Sequence, residues 1–238
     1  MESKINVVLV HGAWADGTSW SKVIPALEDK GFNVVAPQIT LTSIEEDVAV
    51  TKRILSMLKG PIVLVGHSYG GIVISGAANG VPDVKALVYI AGWGNDEDES
   101  IEDLSKQGPA LSSAAQIRPD NNGFLWIDRA GFAQAFAADV DPIEARVMAV
   151  VQKPLSVASF TGKPGAPAWK HLRSWYMVGT NDQMIPPVAE EFMAKRMGAA
   201  TVKVPASHAS LVSRPVEVVD LISQAAASIG SATKNAHQ

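Results

Sequence analysis

Six short runs of apolar residues alternate along this chain with segments of helical periodicity, and this alternation narrows the possible folds more than any other feature. Each run is continuously apolar, which is typical of strands that are buried on both faces of a parallel sheet. The segments between them repeat apolar residues at the spacing of helices that pack on such a sheet. The pattern therefore predicts an α/β fold with a mostly parallel sheet of about six strands and helices on both faces.

The boundaries of these elements follow from the apolar runs and from residues that typically begin or end helices and strands. Predicted strands cover residues 5–10, 32–36, 62–65, 84–91, 175–179 and 201–204, and predicted helices cover residues 19–30, 43–58, 72–79, 190–197 and 216–229. Ser43, with Glu46 three residues later, forms a capping-box pattern at the start of the second helix. The pair Gly60-Pro61 follows that helix and separates it from the next strand.

The segment between the fourth and fifth predicted strands does not show this alternation of strands and helices. It begins with an acidic run at residues 95–103, continues with Ala- and Phe-rich sequence, and closes with a Pro- and Gly-rich stretch at residues 163–167. A structureless loop of this length would be unusual inside a compact domain. We therefore expect a mostly helical cap at residues 93–171, inserted into one core made of residues 1–92 and 172–230. A frayed polar tail is expected at residues 231–238.

The composition of the 238-residue chain excludes several classes of function. Cysteine is absent, which excludes disulfides, thiolate metal sites and a cysteine nucleophile. Lys plus Arg number 20 against 24 Asp plus Glu, so the net charge of −4 offers no attraction to nucleic acid or anionic lipid. We find no signal-peptide pattern and no apolar stretch near the ~20 residues of a membrane span. We expect a soluble, cytoplasmic protein with no nucleic-acid or membrane partner, and a homodimer is one oligomeric state that the sequence leaves open.

The pentapeptide Gly66-His67-Ser68-Tyr69-Gly70 fits the pattern G-x-S-x-G between a predicted strand and a predicted helix. In this context the serine lies on a strained turn, and glycines two residues away on each side permit close packing of the backbone. The following helix offers unpaired N–H groups and the positive end of its dipole. An ordinary Gly/Ser turn is the alternative, but both flanks favour Ser68 as a nucleophile.

A serine nucleophile needs a general base, and the chain offers five histidines. They are His11, His67, His171, His208 and His237. His208 follows the last predicted strand, and the ends of parallel strands are where sites in such sheets assemble. Asp182 follows the fifth strand in the same way and is the candidate for orienting the base, with helix capping as its alternative role. The acidic run is most simply a solvated loop that leads into a helix; a metal site is its alternative role, which the lack of a nearby histidine and of Ca²⁺-loop spacing disfavours.

A tetrahedral oxyanion needs two hydrogen-bond donors. One is expected from the N–H of Tyr69, the residue after the nucleophile, and the other from the loop after the first strand. In that loop we predict Ala13 as the donor, with Trp14 as the alternative. His11 is expected to shape the loop and not to act as a base.

Together these motifs resemble the α/β-hydrolase superfamily over nearly the whole chain. They are similar to a group that includes plant methyl-ketone and methyl-salicylate esterases, hydroxynitrile lyases and bacterial carboxylesterase-like proteins. The shared pattern consists of Val10-His11-Gly12-Ala13-Trp14 with Trp20 downstream, Gly66-His67-Ser68-Tyr69-Gly70-Gly71, Asp182 and His208. The resemblance implies a helical cap over the serine, ester hydrolysis through an acyl-enzyme, and no cofactor.

Two departures from this group bear on the chemistry. The lyases that resemble this chain carry a lysine directly after the catalytic histidine and a threonine at the position of Gly12, whereas this chain has Ala209 and Gly12. Both differences argue against cyanohydrin cleavage. Epoxide hydrolases and dehalogenases of the superfamily use an aspartate nucleophile, which Ser68 excludes.

The sequence therefore predicts a carboxylesterase for small to medium esters, with apolar or aromatic groups favoured. Predicted pocket walls are Trp14, Phe124, Trp126, Phe132 and Phe160, and the cap also offers Phe136 and Trp169. Packing of the cap on the sheet is the alternative role for each of these aromatics. The same triad could serve lactone, C–C bond or perhydrolase chemistry, and a non-enzymatic ligand-binding protein is the remaining alternative.

Overall fold

The computed structural model describes residues 4–109 and 111–235, with side chains described as far as residue 229. The strands in this part of the chain are β1 (Asn6–Val10), β2 (Asn33–Val35), β3 (Ile62–His67), β4 (Val84–Ile90), β5 (Ile117–Pro119), β6 (Phe124–Ile127), β7 (Leu155–Ser156), β8 (Ser174–Gly179) and β9 (Ala200–Val204). The α-helices are α1 (Val23–Asp29), α2 (Ile44–Met57), α3 (Gly70–Ala77), α4 (Ile101–Lys106), α5 (Phe132–Phe136), α6 (Pro142–Val151), α7 (Val157–Thr161), α8 (Pro187–Arg196), α9 (Ser210–Ser213) and α10 (Pro215–Asn235).

The predicted α/β fold is confirmed. Six strands form one sheet in the order β2-β1-β3-β4-β8-β9, and every pair in it is parallel. Helix α2 packs on α3, α1 packs on α10, and both α3 and α10 contact β3 and β4, so helices cover both faces. The strands β1 and β3 are buried along their whole length, as their continuous apolar sequence predicts.

Two predicted elements differ in the structure. The segment predicted as one helix at residues 19–30 is a 3₁₀ turn at Gly17–Trp20 followed by α1. Pro25 explains the break, because proline has no N–H to donate and is tolerated only in the first turn of a helix. At the other end, α10 runs to Asn235, so the tail expected to fray from residue 231 is helical that far, and residues 236–238 lie outside the described part of the chain.

The insertion between β4 and β8 is less purely helical than expected. Besides α4 to α7 it contains a small antiparallel sheet in the order β5-β6-β7. These strands are only two to four residues long, too short to show a period-2 pattern in the sequence. We call residues 93–171 the cap. In the described residues, no helix of the cap or the core has the length and apolar character that would let it cross a membrane.

The acidic run ties the cap to the core. Ser100 and Asp103 form a reciprocal capping box that begins α4. Glu99 accepts two hydrogen bonds from the guanidinium of Arg196 on α8, at 2.8 and 3.0 Å, and Asp96 pairs with Lys170. Asp96 and Glu99 are therefore paired, while Glu97 and Asp98 are exposed and the run leads into α4, as the sequence predicted.

Candidate active site

Ser68 lies on a tight turn between β3 and α3. Its φ angle is +51°, a conformation that residues other than glycine rarely adopt, and the residue is only 3% exposed. A Cβ on Gly66 would lie 2.4 Å from the carbonyl oxygen of Gly70, and a Cβ on Gly70 would lie 2.5 Å from the carbonyl oxygen of Val10. Both distances are shorter than any real Cβ contact, so this turn requires glycine at both positions.

The fold brings Ser68, His208 and Asp182 together in one hydrogen-bonded chain. The Nε2 atom of His208 lies 2.8 Å from the Oγ atom of Ser68, and its Nδ1 atom lies 2.6 Å from Oδ2 of Asp182. A carboxylate can only accept, so Nδ1 carries the proton and Nε2 is free to accept from the serine hydroxyl. Oδ1 of Asp182 accepts from the backbone N–H groups of Met184 at 2.6 Å and Ile185 at 2.9 Å, which fixes the carboxylate in place.

The other histidines are not in position to act as a base. The Nε2 atom of His67 lies 2.9 Å from the carbonyl oxygen of His208, so His67 contacts the backbone of the base and not Ser68. Burial lowers the pKa of His67 well below its usual value, which keeps its ring neutral. His171 is exposed near the end of the cap, and His237 lies outside the described residues.

Two residues that line the cavity at Ser68 have unpaired backbone N–H groups. Ala13 and Tyr69 both line the cavity at Ser68, and their N–H groups have no acceptor in the part of the chain that the structure describes. The N–H of Trp14, the alternative donor, is already used: it donates to the carbonyl of Lys153 at 3.0 Å. The indole Nε1 of Trp14 also donates to the cap, to the carbonyl of Leu125 at 2.8 Å. Ala13 and Tyr69 are therefore the pair available to an oxyanion.

The cavity at Ser68 is small and apolar. Its volume is about 30 Å³, and besides Ser68, Tyr69 and His208 it is lined by Ala13, Trp14, Trp93, Ile101, Leu111, Ile117, Leu155, Phe160, Met184 and Ile185. Trp14 and Phe160 belong to the predicted walls. Ala13 was predicted as an oxyanion donor, and the sequence did not single out the others, although Met184 and Ile185 follow Asp182 so closely that their proximity could have been inferred.

The structure places the remaining predicted wall residues elsewhere. Phe132 is fully buried and stacks on Phe136, whose ring packs edge-on against His208 at 4.9 Å. Phe124 and Trp126 lie on strand β6 of the cap sheet, where Trp126 is 37% exposed and its indole N–H donates to Asp120. These aromatics pack the cap and support the histidine, and they do not line the cavity.

The comparisons with known proteins bear on the family and the fold. The model of the alpha/beta hydrolase family matches residues 7–221. The chain belongs to the alpha/beta hydrolase family. This confirms the fold and the resemblance expected from the motifs.

Several named relatives of this chain are esterases or hydrolases. A pyrethroid hydrolase from Sphingobium wenxiniae is 26% identical over 91% of this chain and 86% of its own length. A carbendazim-hydrolyzing esterase from Nocardioides is 31% identical over 47% of this chain, and the match spans 52% of that relative, about half its length. The crystal structure of a pyrethroid hydrolase from Sphingobium faniae shares the fold, with a TM-score of 0.81 at 24% identity over 93% of this chain and 97% of that one.

His11 orients the loop that carries Ala13 in this hydrolase. Its Nδ1–H donates to the carbonyl of Gly12 at 2.9 Å, and its Nε2 accepts from the N–H of Ile39 at 3.2 Å. The carbonyl of Gly12 and the N–H of Ala13 belong to one planar peptide and point in opposite directions. Holding the carbonyl therefore directs the N–H of Ala13 to the other side. Burial lowers the pKa of His11 to about 4, so the ring is neutral at pH 7.

This lowered pKa predicts a loss of stability in mild acid. Unfolded histidine binds a proton below pH 6.5, whereas folded His11 binds one only near pH 4. The unfolded state therefore gains protons first, and the free energy of unfolding should fall by about 3 kcal/mol from this residue as the pH drops from 6.5 to 4. Urea unfolding of the wild type and of His11→Gln at several pH values measures the effect, and the variant should lose that part of the pH dependence. Parallel curves for the two proteins would contradict it.

Tyr69 is anchored by an acid that the sequence analysis missed. Its hydroxyl donates to Oδ2 of Asp47 on α2 at 2.7 Å, and Asp47 also accepts from the N–H groups of Thr40 at 2.6 Å and Leu41 at 3.0 Å. Asp47 is fully buried, and burial raises the pKa of Tyr69, so the hydroxyl stays protonated and donates. The position had a signal: Asp47 lies three residues after Ile44, on the apolar stripe of the predicted helix.

Glu190 on α8 is a second buried acid beside the site. Its Oε2 accepts from the N–H of Gly179 at 3.1 Å, and its Oε1 meets no donor among the described residues. Burial, and next the negative charge of Asp182, raise the pKa of Glu190 well above its usual value, which favours the protonated carboxyl. The sequence carries no signal for this role, because Glu190 and Glu191 are adjacent and only the fold shows which one is buried.

Replacing Glu190 with glutamine should stabilise the protein at neutral and alkaline pH. Above pH 4.5 the unfolded carboxyl loses its proton while the folded one keeps it, so the wild type becomes less stable as the pH rises. Glutamine can still accept from the N–H of Gly179, and it does not titrate. Urea unfolding at pH 5, 7 and 9 should show a gain that grows with pH, and Glu191→Gln, on the exposed side of the helix, serves as the control. A difference that does not change with pH would refute the protonated state of Glu190.

None of the described residues form a cluster of three or more His, Asp or Glu side chains that could hold a metal ion. The polar groups that converge at the cavity are the serine hydroxyl, one imidazole and two backbone N–H groups. This set can generate a nucleophile and hold a developing negative charge, which are the requirements of acyl transfer.

Proposed function

We propose that this hydrolase is a serine carboxylesterase that cleaves small to medium esters with apolar or aromatic groups through an acyl-enzyme. The observation that carries the proposal is the continuous hydrogen-bonded chain from Asp182 through His208 to Ser68, which ends in a cavity beside two free N–H groups. Two relatives, the pyrethroid hydrolase and the carbendazim-hydrolyzing esterase, support ester-type substrates.

Acylation follows from the positions of the protons. His208 takes the proton of the Ser68 hydroxyl at Nε2 as Oγ attacks the ester carbonyl, and Asp182 stabilises the imidazolium that forms. The carbonyl oxygen becomes negative and accepts hydrogen bonds from the N–H groups of Ala13 and Tyr69. The imidazolium then protonates the leaving alcohol, and the acyl group remains on Ser68.

Deacylation reverses these roles with water. Nε2 of His208 takes a proton from a water molecule as that water attacks the acyl-enzyme, and then returns the proton to Ser68 while the acid leaves. His208 is the only titratable side chain among the cavity walls apart from the phenol of Tyr69, whose hydroxyl is bound to Asp47. Uncharged substrates are therefore favoured, because a charged group would lose its hydration without gaining a partner.

Cyanohydrin cleavage is disfavoured by the surroundings of Gly12 and Ala209. A Cβ on Gly12 would lie 2.8 Å from the Cβ of Ser68, so a threonine at this position would require the serine to shift. Ala209 is fully buried and offers no cationic group next to His208. Lactone opening, C–C bond hydrolysis and perhydrolysis would use the same groups, and product analysis with lactones, diketones and peroxide distinguishes them.

The proposal is tested with nitrophenyl esters of increasing acyl length and with a fluorophosphonate probe. We expect turnover of short acyl esters and a single phosphonate adduct, located on Ser68 by mass spectrometry. A protein that leaves the whole panel intact and does not react with the probe would not be a serine esterase. Saturable binding of the esters without turnover would instead support a ligand-binding protein.

A further inference from the structure

A second, larger cavity lies beside the one at Ser68. Its volume is about 280 Å³, and it is lined by Trp93, Leu104, Gln107, Gly108, Pro109, Val188, Ala189, Phe192 and Met193. None of these described side chains is charged, and the amide of Gln107 and the indole N–H of Trp93 are their hydrogen-bonding groups. The side chains of Val188 and Phe192 on α8 are 57% and 51% exposed, so the cavity opens to solvent on this side.

The two cavities share walls. Trp93 lines both of them. On α4, Ile101 lines the small cavity and Leu104 lines the large one, and residues three apart lie on the same face of a helix. Ile185, two residues before α8, lines the small cavity, and Val188 in the first turn of α8 lines the large one. The walls therefore continue from one cavity to the next, with the side chain of Trp93 common to both.

The cavity at Ser68 is too small to hold a whole ester, so part of a bound ester must lie in another site. A volume of about 30 Å³ holds roughly two water molecules, which is less than an ester with more than a very small acyl or alcohol group requires. The volume of 280 Å³ approaches the lower end of the range for small-molecule pockets. An ester bound at Ser68 has one arm on each side of its carbonyl, and at least one arm must leave the small cavity.

Trp93 is held by its backbone and not by its indole nitrogen. Its N–H donates to the carbonyl of Ser68 at 3.0 Å, which ties its main chain to the turn of the nucleophile. Within the described residues the indole N–H has no hydrogen-bond acceptor, in contrast to those of Trp14 and Trp169, which donate to backbone carbonyls. The ring can therefore change rotamer without breaking a hydrogen bond.

We propose that the second cavity binds an uncharged apolar arm of the ester, which reaches it past Trp93, and that Trp93 and the walls of this cavity set the preferred arm length. This inference rests on the proposed esterase function. Each methylene that enters the second cavity should raise kcat/KM about three- to fourfold, because burial of a CH₂ group favours the bound state by that factor.

The experiment fills the second cavity while Ser68 and its neighbours stay unchanged. Ala189→Trp introduces a large side chain into this cavity, at a position that does not line the cavity at Ser68. We expect the ratio of kcat/KM for nitrophenyl hexanoate over nitrophenyl acetate to fall at least tenfold, the equivalent of about two excluded methylenes. The matched control is Lys195→Trp, an equal side chain on an exposed position of α8, which should keep the wild-type ratio. A ratio that is unchanged in Ala189→Trp overturns the inference.

A second series separates the two arms of the ester. Methyl to hexyl acetates vary the alcohol, and nitrophenyl acetate to hexanoate vary the acyl group, so a length dependence that Ala189→Trp abolishes in one series identifies the arm that the cavity binds. If Ala189→Trp keeps the length dependence in both series, the proposal is refuted. Failure of the wild type to hydrolyse any ester or to react with a fluorophosphonate would instead refute the esterase function itself.

A structure of the adduct makes the test independent of the variant. A hexylphosphonate on Ser68 mimics the acyl arm, and a phosphonate with a hexyloxy group mimics the alcohol arm. In one of the two adducts we expect the chain to lie past a rotated Trp93, between Leu104 and Ala189. Chains directed elsewhere in both adducts would overturn the assignment even if Ala189→Trp does not fold.

Discussion

Ser68→Ala should lower kcat for ester hydrolysis by about 10⁴- to 10⁶-fold and abolish the phosphonate adduct. The hydroxyl is the group that attacks the carbonyl, and no other nucleophile lies within reach of Nε2 of His208 among the described residues. The N–H groups of Ala13 and Tyr69 remain, so a small rate above that of water should persist. Stopped assays at high enzyme concentration measure the residual kcat, and thermal unfolding reports the integrity of the fold.

The control for this variant is Ser210→Ala. Ser210 is buried two residues from His208, and its hydroxyl has no hydrogen-bond partner within the described chain, so its removal should leave kcat within about twofold of the wild type. The positive φ of Ser68 costs serine and alanine similarly, so Ser68→Ala should also unfold near the wild-type temperature. A Ser68→Ala protein that keeps more than a tenth of the wild-type kcat would exclude Ser68 as the nucleophile.

Asp182→Asn should lower kcat by about 10⁴-fold with little change in KM. The amide oxygen can still accept from the N–H groups of Met184 and Ile185, so the loop stays in place. The amide NH₂ then faces Nδ1 of His208, which can only accept from it, and the proton of the imidazole moves to Nε2. In that tautomer the imidazole cannot take the proton of Ser68.

Asp141→Asn is the matched control for this exchange. Asp141 caps α6 by accepting from the N–H groups of Ile143 and Glu144, a role that asparagine fills as well, and it lies outside the cavity. A pH profile of kcat supports the assignment, because Asp182→Asn should regain activity only where hydroxide replaces the missing base. Equal kcat values in Asp182→Asn and the wild type would show that another group orients His208.

The triad could be predicted because its members lie where predicted strands end. Ser68 follows β3, Asp182 follows β8 and His208 comes four residues after β9, and parallel strands deliver such residues to one edge of the sheet. The register supports this placement, since Val10 on β1 pairs with Gly66 on β3 and thereby sets the loop with Ala13 beside the turn of Ser68. Local sequence patterns were enough to predict where these strands end, because each strand has a clear apolar run.

The walls of the cavity could not be predicted in the same way. They come from irregular and short pieces of the cap, such as Leu111 and Leu155, whose positions depend on packing and not on periodicity. The aromatic side chains of the cap were poor guides, since Phe132 is buried beside Phe136, away from the cavity. For large apolar residues, packing and ligand contact have the same sequence signal, and only the tertiary structure separates them.

Because Trp14 donates two hydrogen bonds to the cap, the cap cannot be exchanged independently of the loop after β1 that carries Ala13 and Trp14. Trp14 adjoins Ala13, the proposed oxyanion donor, and its own orientation depends on carbonyls of Lys153 and Leu125, which both belong to the insertion. A cap transplanted from another hydrolase would have to supply two carbonyls at the same points, or the turnover machinery would lose its alignment together with the old specificity. Substitutions at single positions of the cavity wall leave the two hydrogen bonds of Trp14 intact. The substrate range of this fold can therefore change more readily through single substitutions than through exchange of the whole insertion.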